Sequence, residues 1–128
     1  MKKIINVWDM DVFKLTHELT LRIYKLAREF PRFELYSPVS QMRRAASSIP
    51  MNIAEGAARN SRAEYRRFVS MAKGSVGEIS YQIILSKDLG YMHSSESEEV
   101  LVGYNRVGRM LTRLAQSLEK KTTTGSSK

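Results

Sequence analysis

The residues of this chain best suited to chemistry are arginines at helical spacing. Arg59, Arg62 and Arg66 recur at i, i+3 and i+7, with Arg67 beside the last. Arg106, Arg109 and Arg113 repeat the pattern further along, and Arg43 and Arg44 form an adjacent pair. A guanidinium presents its donors in a rigid planar fork that matches phosphate oxygens, so these clusters point to a polyanion held by charge-assisted hydrogen bonds. Residues three and four apart share a helix face, which turns each cluster into a patch. Any single arginine also suits a solvated face paired to Glu55, Glu64 or Glu78; their recurrence favours anion binding. Tyr24, Tyr36, Tyr65, Tyr81, Tyr91 and Tyr104 offer surfaces on which unpaired bases can stack, against the commoner fate of half-burial at helix edges.

The residue types that catalysis needs do not converge. His17 and His93 have no second histidine one turn away, and the residues three before them are Lys14 and Gly90, so no Glu-x-x-His metal face exists. Glu18 and Glu55 are the carboxylates an acid–base pair would draw on, and nothing in their spacing joins them. The absence of cysteine removes thiolate chemistry, Cys-ligated zinc and iron–sulfur clusters. Gly74-Ser75-Val76-Gly77 runs into Glu78, where a phosphate-binding loop requires lysine. The expectation is a non-enzyme with no catalytic residue, metal or cofactor.

Composition agrees with a basic binding module. The 128 residues carry 21 Lys and Arg against 13 Asp and Glu, a net charge of +8. Each of the segments 1–36, 37–60, 61–90 and 91–128 holds +2 of it, so an anion-binding surface has to be assembled by folding or by association of copies. The length suits one domain, and 42% hydrophobic residues with only 3 Pro and 7 Gly favour an all-α core. No run approaches the roughly 18 apolar residues of a membrane span, and Met1–Asn6 lacks a signal-peptide core, so the expected location is cytoplasmic, with no membrane partner.

Four amphipathic segments position the arginines. Val12, Leu15, Leu19, Ile23, Leu26 and Phe30 mark a helix over about 11–30, capped by Asp9 or Asp11 and stopped by Pro31. Phe33, Leu35 or Tyr36 in the following linker is expected to pack back on the bundle, and Met1–Asn6 to form a short extended segment. Ser37-Pro38 reads as cap and first residue of a second helix, whose stripe Val39, Met42, Ala46, Ile49, Ile53 and Ala57 continues through Pro50. That continuity favours a kinked helix over two short ones, with Ser47 and Ser48 bonding the freed carbonyls. Ser61-Arg62-Ala63-Glu64 is a capping box opening a third helix that ends near Leu89-Gly90. Gly74 and Gly77 inside it suggest close approach of a neighbouring helix. Ser95-Glu96-Ser97-Glu98 is a second capping box, and Val100, Tyr104, Val107, Leu111, Leu114 and Leu118 form the seam of a fourth helix. The expected architecture is an antiparallel up-down-up-down four-helix bundle over 1–121, with a disordered tail over 122–128.

The run Gln41-Met42-Arg43-Arg44-Ala45-Ala46-Ser47-Ser48-Ile49-Pro50-Met51-Asn52-Ile53-Ala54-Glu55-Gly56, followed by Glu64-Tyr65, Phe68 and Met71-Ala72-Lys73-Gly74-Ser75-Val76-Gly77-Glu78, resembles the bacterial four-helix-bundle family of 23S rRNA intervening-sequence proteins. The similarity extends from about Val7 to Leu118 and departs from the family pattern at Gly77. It implies a homopentameric ring, and kinship with the accessory variability determinant proteins of diversity-generating retroelements implies nucleic acid and a reverse transcriptase as partners. Within the motif, Pro50, Asn52, Glu55, Gly56 and Gly74 are expected to set helix shape and spacing, leaving Arg43, Arg44, Arg59, Arg62, Arg66, Arg67, Arg106, Arg109 and Arg113 to contact RNA or an RNA–DNA hybrid. The rival expectation is an adaptor whose basic face docks an acidic protein.

Overall fold

The computed structural model describes residues 6–32 and 39–126, with side chains through residue 119. Among them four helices form an all-α bundle: α1 (Asp11–Ala27), α2 (Ser40–Ala57), α3 (Arg62–Asp88) and α4 (Ser94–Ser126), preceded by a 3-10 turn at Val7–Asp9. Each helix packs against its sequence neighbour, and α1 packs against α4. Ile23, Met42, Ile49, Ile53, Ile79, Ile83, Val100, Tyr104, Val107 and Leu111 are fully buried between them. Burying each large apolar side chain contributes about 1.5–3 kcal/mol, which overrides weak local preferences such as the serine-rich stretch of α2.

The helix ends differ in detail from expectation. α1 stops at Ala27, because Pro31 disfavours helical geometry at Phe30 and the chain closes with 3-10-type bonds, Phe30 N–H donating to Ala27 at 3.1 Å. Neither Asp9 nor Asp11 caps it: Met10 is the N-cap without a side-chain bond, Asp9 lies in the 3-10 turn and Asp11 in the first helical turn. The Asn6 carboxamide instead accepts from Trp8 N–H at 3.0 Å. Ser61 caps α3 as expected, accepting from Glu64 N–H at 3.0 Å. Gly90 takes φ +83°, and Tyr91 N–H closes on the Ser86 carbonyl at 2.9 Å, a left-handed C-terminal cap. α4 begins at Ser94, one residue before the expected box, and its helix continues to Ser126, past the boundary set at 121. The expected Ser37-Pro38 start of α2, the linker aromatics and Met1–Ile5 lie outside the described residues.

α2 is one unbroken helix through Pro50, so the reading of two short helices is set aside. Proline has no N–H, and the carbonyl it leaves without a helical donor is that of Ala46. Ser47 and Ser48 do not fill that role: their hydroxyls donate to Arg44 at 3.4 Å and Ala45 at 3.0 Å. The hydroxyl proton comes from α1, where Thr20 Oγ1 is shared between its own Thr16 carbonyl at 2.7 Å and Ala46 at 3.3 Å. A buried threonine on one helix thus supports the proline of the next.

Glycine marks two close helix contacts. A Cβ at Gly56 would lie 2.9 Å from both Phe68 Cβ and Tyr65 Cδ1, bringing α2 onto α3. At Gly103 it would lie 2.8 Å from Leu19 Cδ2, bringing α4 onto α1. Gly74 and Gly77, expected to serve this purpose, are exposed, and a Cβ at either would meet no atom within 4 Å, so none of the described helices packs there.

Candidate nucleic-acid interface

The outer seam between α3 and α4 gathers cations. One open depression is lined by Ala63, Arg66, Arg67, Ser70 and Lys73 of α3 with Ala115 of α4. A second is lined by Lys73 with Asn105, Gly108, Arg109, Thr112 and Arg113 of α4. Lys73 borders both, so the two form one groove with five cationic side chains and no carboxylate in its lining. The helical phase explains it: Arg66, Ser70 and Lys73 lie three and four apart on α3, as Arg109 and Arg113 do on α4, flanking the core stripes. Gly108 lies opposite Val76, whose Cγ1 would be 3.9 Å from its Cβ, and so keeps the floor of the groove low.

Among the described residues, Arg66, Lys73, Arg109 and Arg113 pair with no carboxylate; the ion pairs are Arg22–Glu99, Arg59–Glu55 and Arg67–Glu64. Four like charges sharing one seam without internal neutralisation create a focused positive potential, which draws polyanions and favours a ligand that brings several negative charges at once. Arg67 is held in place rather than loose. Its guanidinium lies 4.7 Å above the Phe68 ring centroid and 3.4 Å from Glu64 Oε1. Arg113 also borders a third depression, between α1 and α4, with Met10, Asp11, Val12, Met110 and Leu114.

The groove thus brings together Arg66, Arg67, Arg109 and Arg113. The other expected contacts lie elsewhere. Arg59 lines neither depression; its guanidinium lies 4.9 Å from the same Phe68 ring centroid and 2.6 Å from Glu55 Oε2. Arg62 and Arg106 are exposed and line neither depression. Arg43 and Arg44 stand at the start of α2, the end remote from Arg59: Arg43 stacks on Tyr24 of α1 at 5.1 Å, and Arg44 donates to the Ser40 hydroxyl at 3.3 Å. Lys73 was missed because it is a lone lysine among arginine clusters, although its i+7 spacing from Arg66 already placed it on the same face.

The motif residues divide as well. Pro50 and Gly56 are buried contact residues of α2, and Asn52 donates to the Ser48 carbonyl at 2.8 Å. Glu55 is not inside the fold but exposed and paired with Arg59, and Gly74 faces open space. No cluster of three or more His, Asp and Glu able to hold a metal ion occurs among the described residues. No helix among them is long and apolar enough to cross a membrane.

Comparison with known proteins gives one family. No curated protein matches the chain. A crystal structure of a protein of unknown function from the S23 ribosomal protein family of Bacteroides thetaiotaomicron superposes with a TM-score of 0.75 at 21% identity, covering 82% of this chain and 98% of that one, which shows a shared fold. The family model for the 23S rRNA-intervening sequence protein matches residues 8–113, a span that holds α1, α2 and α3 entire together with the α4 arginines of the groove. The chain therefore belongs to the 23S rRNA-intervening sequence protein family.

Proposed function

We propose that this protein is a non-catalytic, cytoplasmic nucleic-acid-binding bundle that engages RNA or an RNA–DNA hybrid through phosphates in the α3/α4 groove. The observation that carries this reading is the convergence of Arg66, Arg67, Lys73, Arg109 and Arg113 on one carboxylate-free groove. The family's name, which ties it to inserted segments of 23S rRNA, supports RNA as the polyanion. In this reading the protein works as a homo-oligomer, a ring of five as the sequence resemblance implies, which multiplies one modest groove into a multivalent surface. Its role is accessory, to a retroelement reverse transcriptase or at 23S rRNA intervening sequences.

Mobility-shift titration across a salt series tests the reading. Phosphate-driven binding weakens steeply as salt rises, and Lys73→Glu with Arg109→Glu abolishes it. A protein that binds no RNA, DNA or hybrid at about 50 mM salt is not a nucleic-acid-binding protein. A second reading, an adaptor for an acidic protein, draws support from the apolar residues Met71, Ile84 and Leu85 exposed on the outer side of α3. It predicts no nucleic-acid binding by the isolated protein.

A further inference from the structure

We propose, resting on the groove's reading as a phosphate site, that it selects single-stranded nucleic acid by stacking one unpaired base on Tyr81. Three features of the α3/α4 face lead there. The cationic stretch is short: Arg66 to Lys73 is seven residues, about 10 Å of helix, which accommodates about three phosphates at the 3.4 Å per-strand spacing of stacked nucleotides. Beyond Lys73 the face is low and open: Gly77 on α3 is exposed with nothing within 4 Å of where a Cβ would be, Gly108 lines the groove on the α4 side beside Asn105, and Glu78 is the one carboxylate of α3 between Lys73 and Tyr81.

Tyr81 stands eight residues and about 12 Å past Lys73 along α3, in helical phase with Ala63 of the groove lining five turns earlier. It is 61% exposed and has no ring partner among the described residues. An aromatic face next to a row of phosphate-binding cations is how sequence-tolerant single-strand sites are built, since every base has a face to stack and the phosphates supply the rest of the affinity. In a duplex the base faces are already occupied by their neighbours, so only an unpaired base reaches the ring.

The charge of the same face then sets where the strand stops. Past Tyr81, α3 ends in the exposed Asp88 and α4 opens with the exposed Glu98, against Lys87, while Glu99 is turned to Arg22 of α1. A duplex laid along the α3/α4 seam would carry phosphates into these carboxylates, whereas a single strand turns a base onto Tyr81 and leaves the face before them. The acidic end thereby penalises the longer ligand.

Fluorescence anisotropy with a labelled short oligouridylate, an oligothymidylate and a blunt duplex of equal length tests this on the full chain. The expected result is that the wild type prefers both single strands to the duplex. Tyr81→Ala then weakens both single strands about ten-fold without changing the salt slope, Tyr81→Phe restores them, and the duplex is unaffected by either change. Tyr81 is on the surface, so these substitutions leave the core intact. Equal losses on duplex and single strand, no loss with Tyr81→Ala, or a wild-type preference for duplex overturns the proposal. Lys73→Glu with Arg109→Glu run in parallel separates the two ideas: unchanged binding there removes the phosphate groove itself, and with no probe bound by the wild type both fall.

Discussion

Replacing the glycines of this bundle with alanine, one at a time, yields opposite signs that the structure assigns in advance. At Gly56 the new methyl meets Phe68 Cβ and Tyr65 Cδ1 at 2.9 Å and the Tyr65 carbonyl oxygen at 3.3 Å. Two of those atoms are fixed to the α3 backbone, so α2 and α3 must separate. Overpacking of this kind costs about 1–3 kcal/mol, against which the better helix propensity of alanine returns about 1 kcal/mol. The net expectation for Gly56→Ala is a loss of about 0–2 kcal/mol. At Gly103 the obstacle is the methyl end of Leu19, at 2.8 and 3.1 Å, a flexible tip that can turn aside, so Gly103→Ala stays within about 1 kcal/mol of the wild type. At Gly74 and Gly77 nothing lies within 4 Å, and only the propensity term acts. Each substitution there stabilises by about 0.5–1 kcal/mol. Urea unfolding followed by circular dichroism, at one protein concentration and with slopes compared to confirm two-state behaviour, reads all four. A stabilised Gly56→Ala would refute the close α2/α3 approach. A destabilised Gly74→Ala or Gly77→Ala would mean that a second copy covers α3 in solution.

Other expectations follow from single groups. Thr20→Val keeps the side-chain shape but leaves the Ala46 carbonyl opposite Pro50 without a donor; a loss of about 1–3 kcal/mol in the same unfolding assay is expected. Tyr104 is wholly buried, with no partner for its hydroxyl among the described residues, so Tyr104→Phe is neutral or stabilising by up to about 1 kcal/mol. Burial raises the Tyr104 phenol far above its ordinary pKa of 10.0 and, less strongly, that of Tyr65. The unfolded chain therefore loses these protons first, so stability is intact below pH 10 and falls as pH rises through it, and Tyr104→Phe flattens that alkaline decline in a pH series of melting curves. Light scattering in solution is expected to give a mass of five chains; a monomer would remove the multivalent surface.

Burial on one side of a helix leaves a 3.6-residue trace in the sequence, as in Val39, Met42, Ala46, Ile49 and Ile53, and that trace made the helices readable, running through Pro50 without a break. What supports the proline was not readable, since Thr20 acts from another helix and its role exists only once α1 lies against α2. Glycines behaved the same way. Gly74 and Gly77 looked like packing glycines and are exposed, while Gly103 drew no notice and is one, because the need for a missing Cβ depends on what the neighbouring helix places opposite. For the interface, local spacing put Arg62 with Arg66 and Arg106 with Arg109, yet Arg62 and Arg106 line neither depression. It could not tell which groups the fold would join, so Arg66 and Arg67 met Arg109 and Arg113 across a seam that Lys73 completes, while Arg43 and Arg44 stayed at the far end of α2.

The α3/α4 groove is tested most directly by the salt dependence of single-strand RNA binding, wild type against Lys73→Glu with Arg109→Glu. With about three phosphates neutralised per groove, log K is expected to fall with log salt at a slope of about −2 for the wild type. The doubly substituted protein, folded by circular dichroism, is expected to lose binding at every salt concentration. A wild type that binds no RNA at about 50 mM salt, or a substituted protein with the wild-type affinity and slope, contradicts the account.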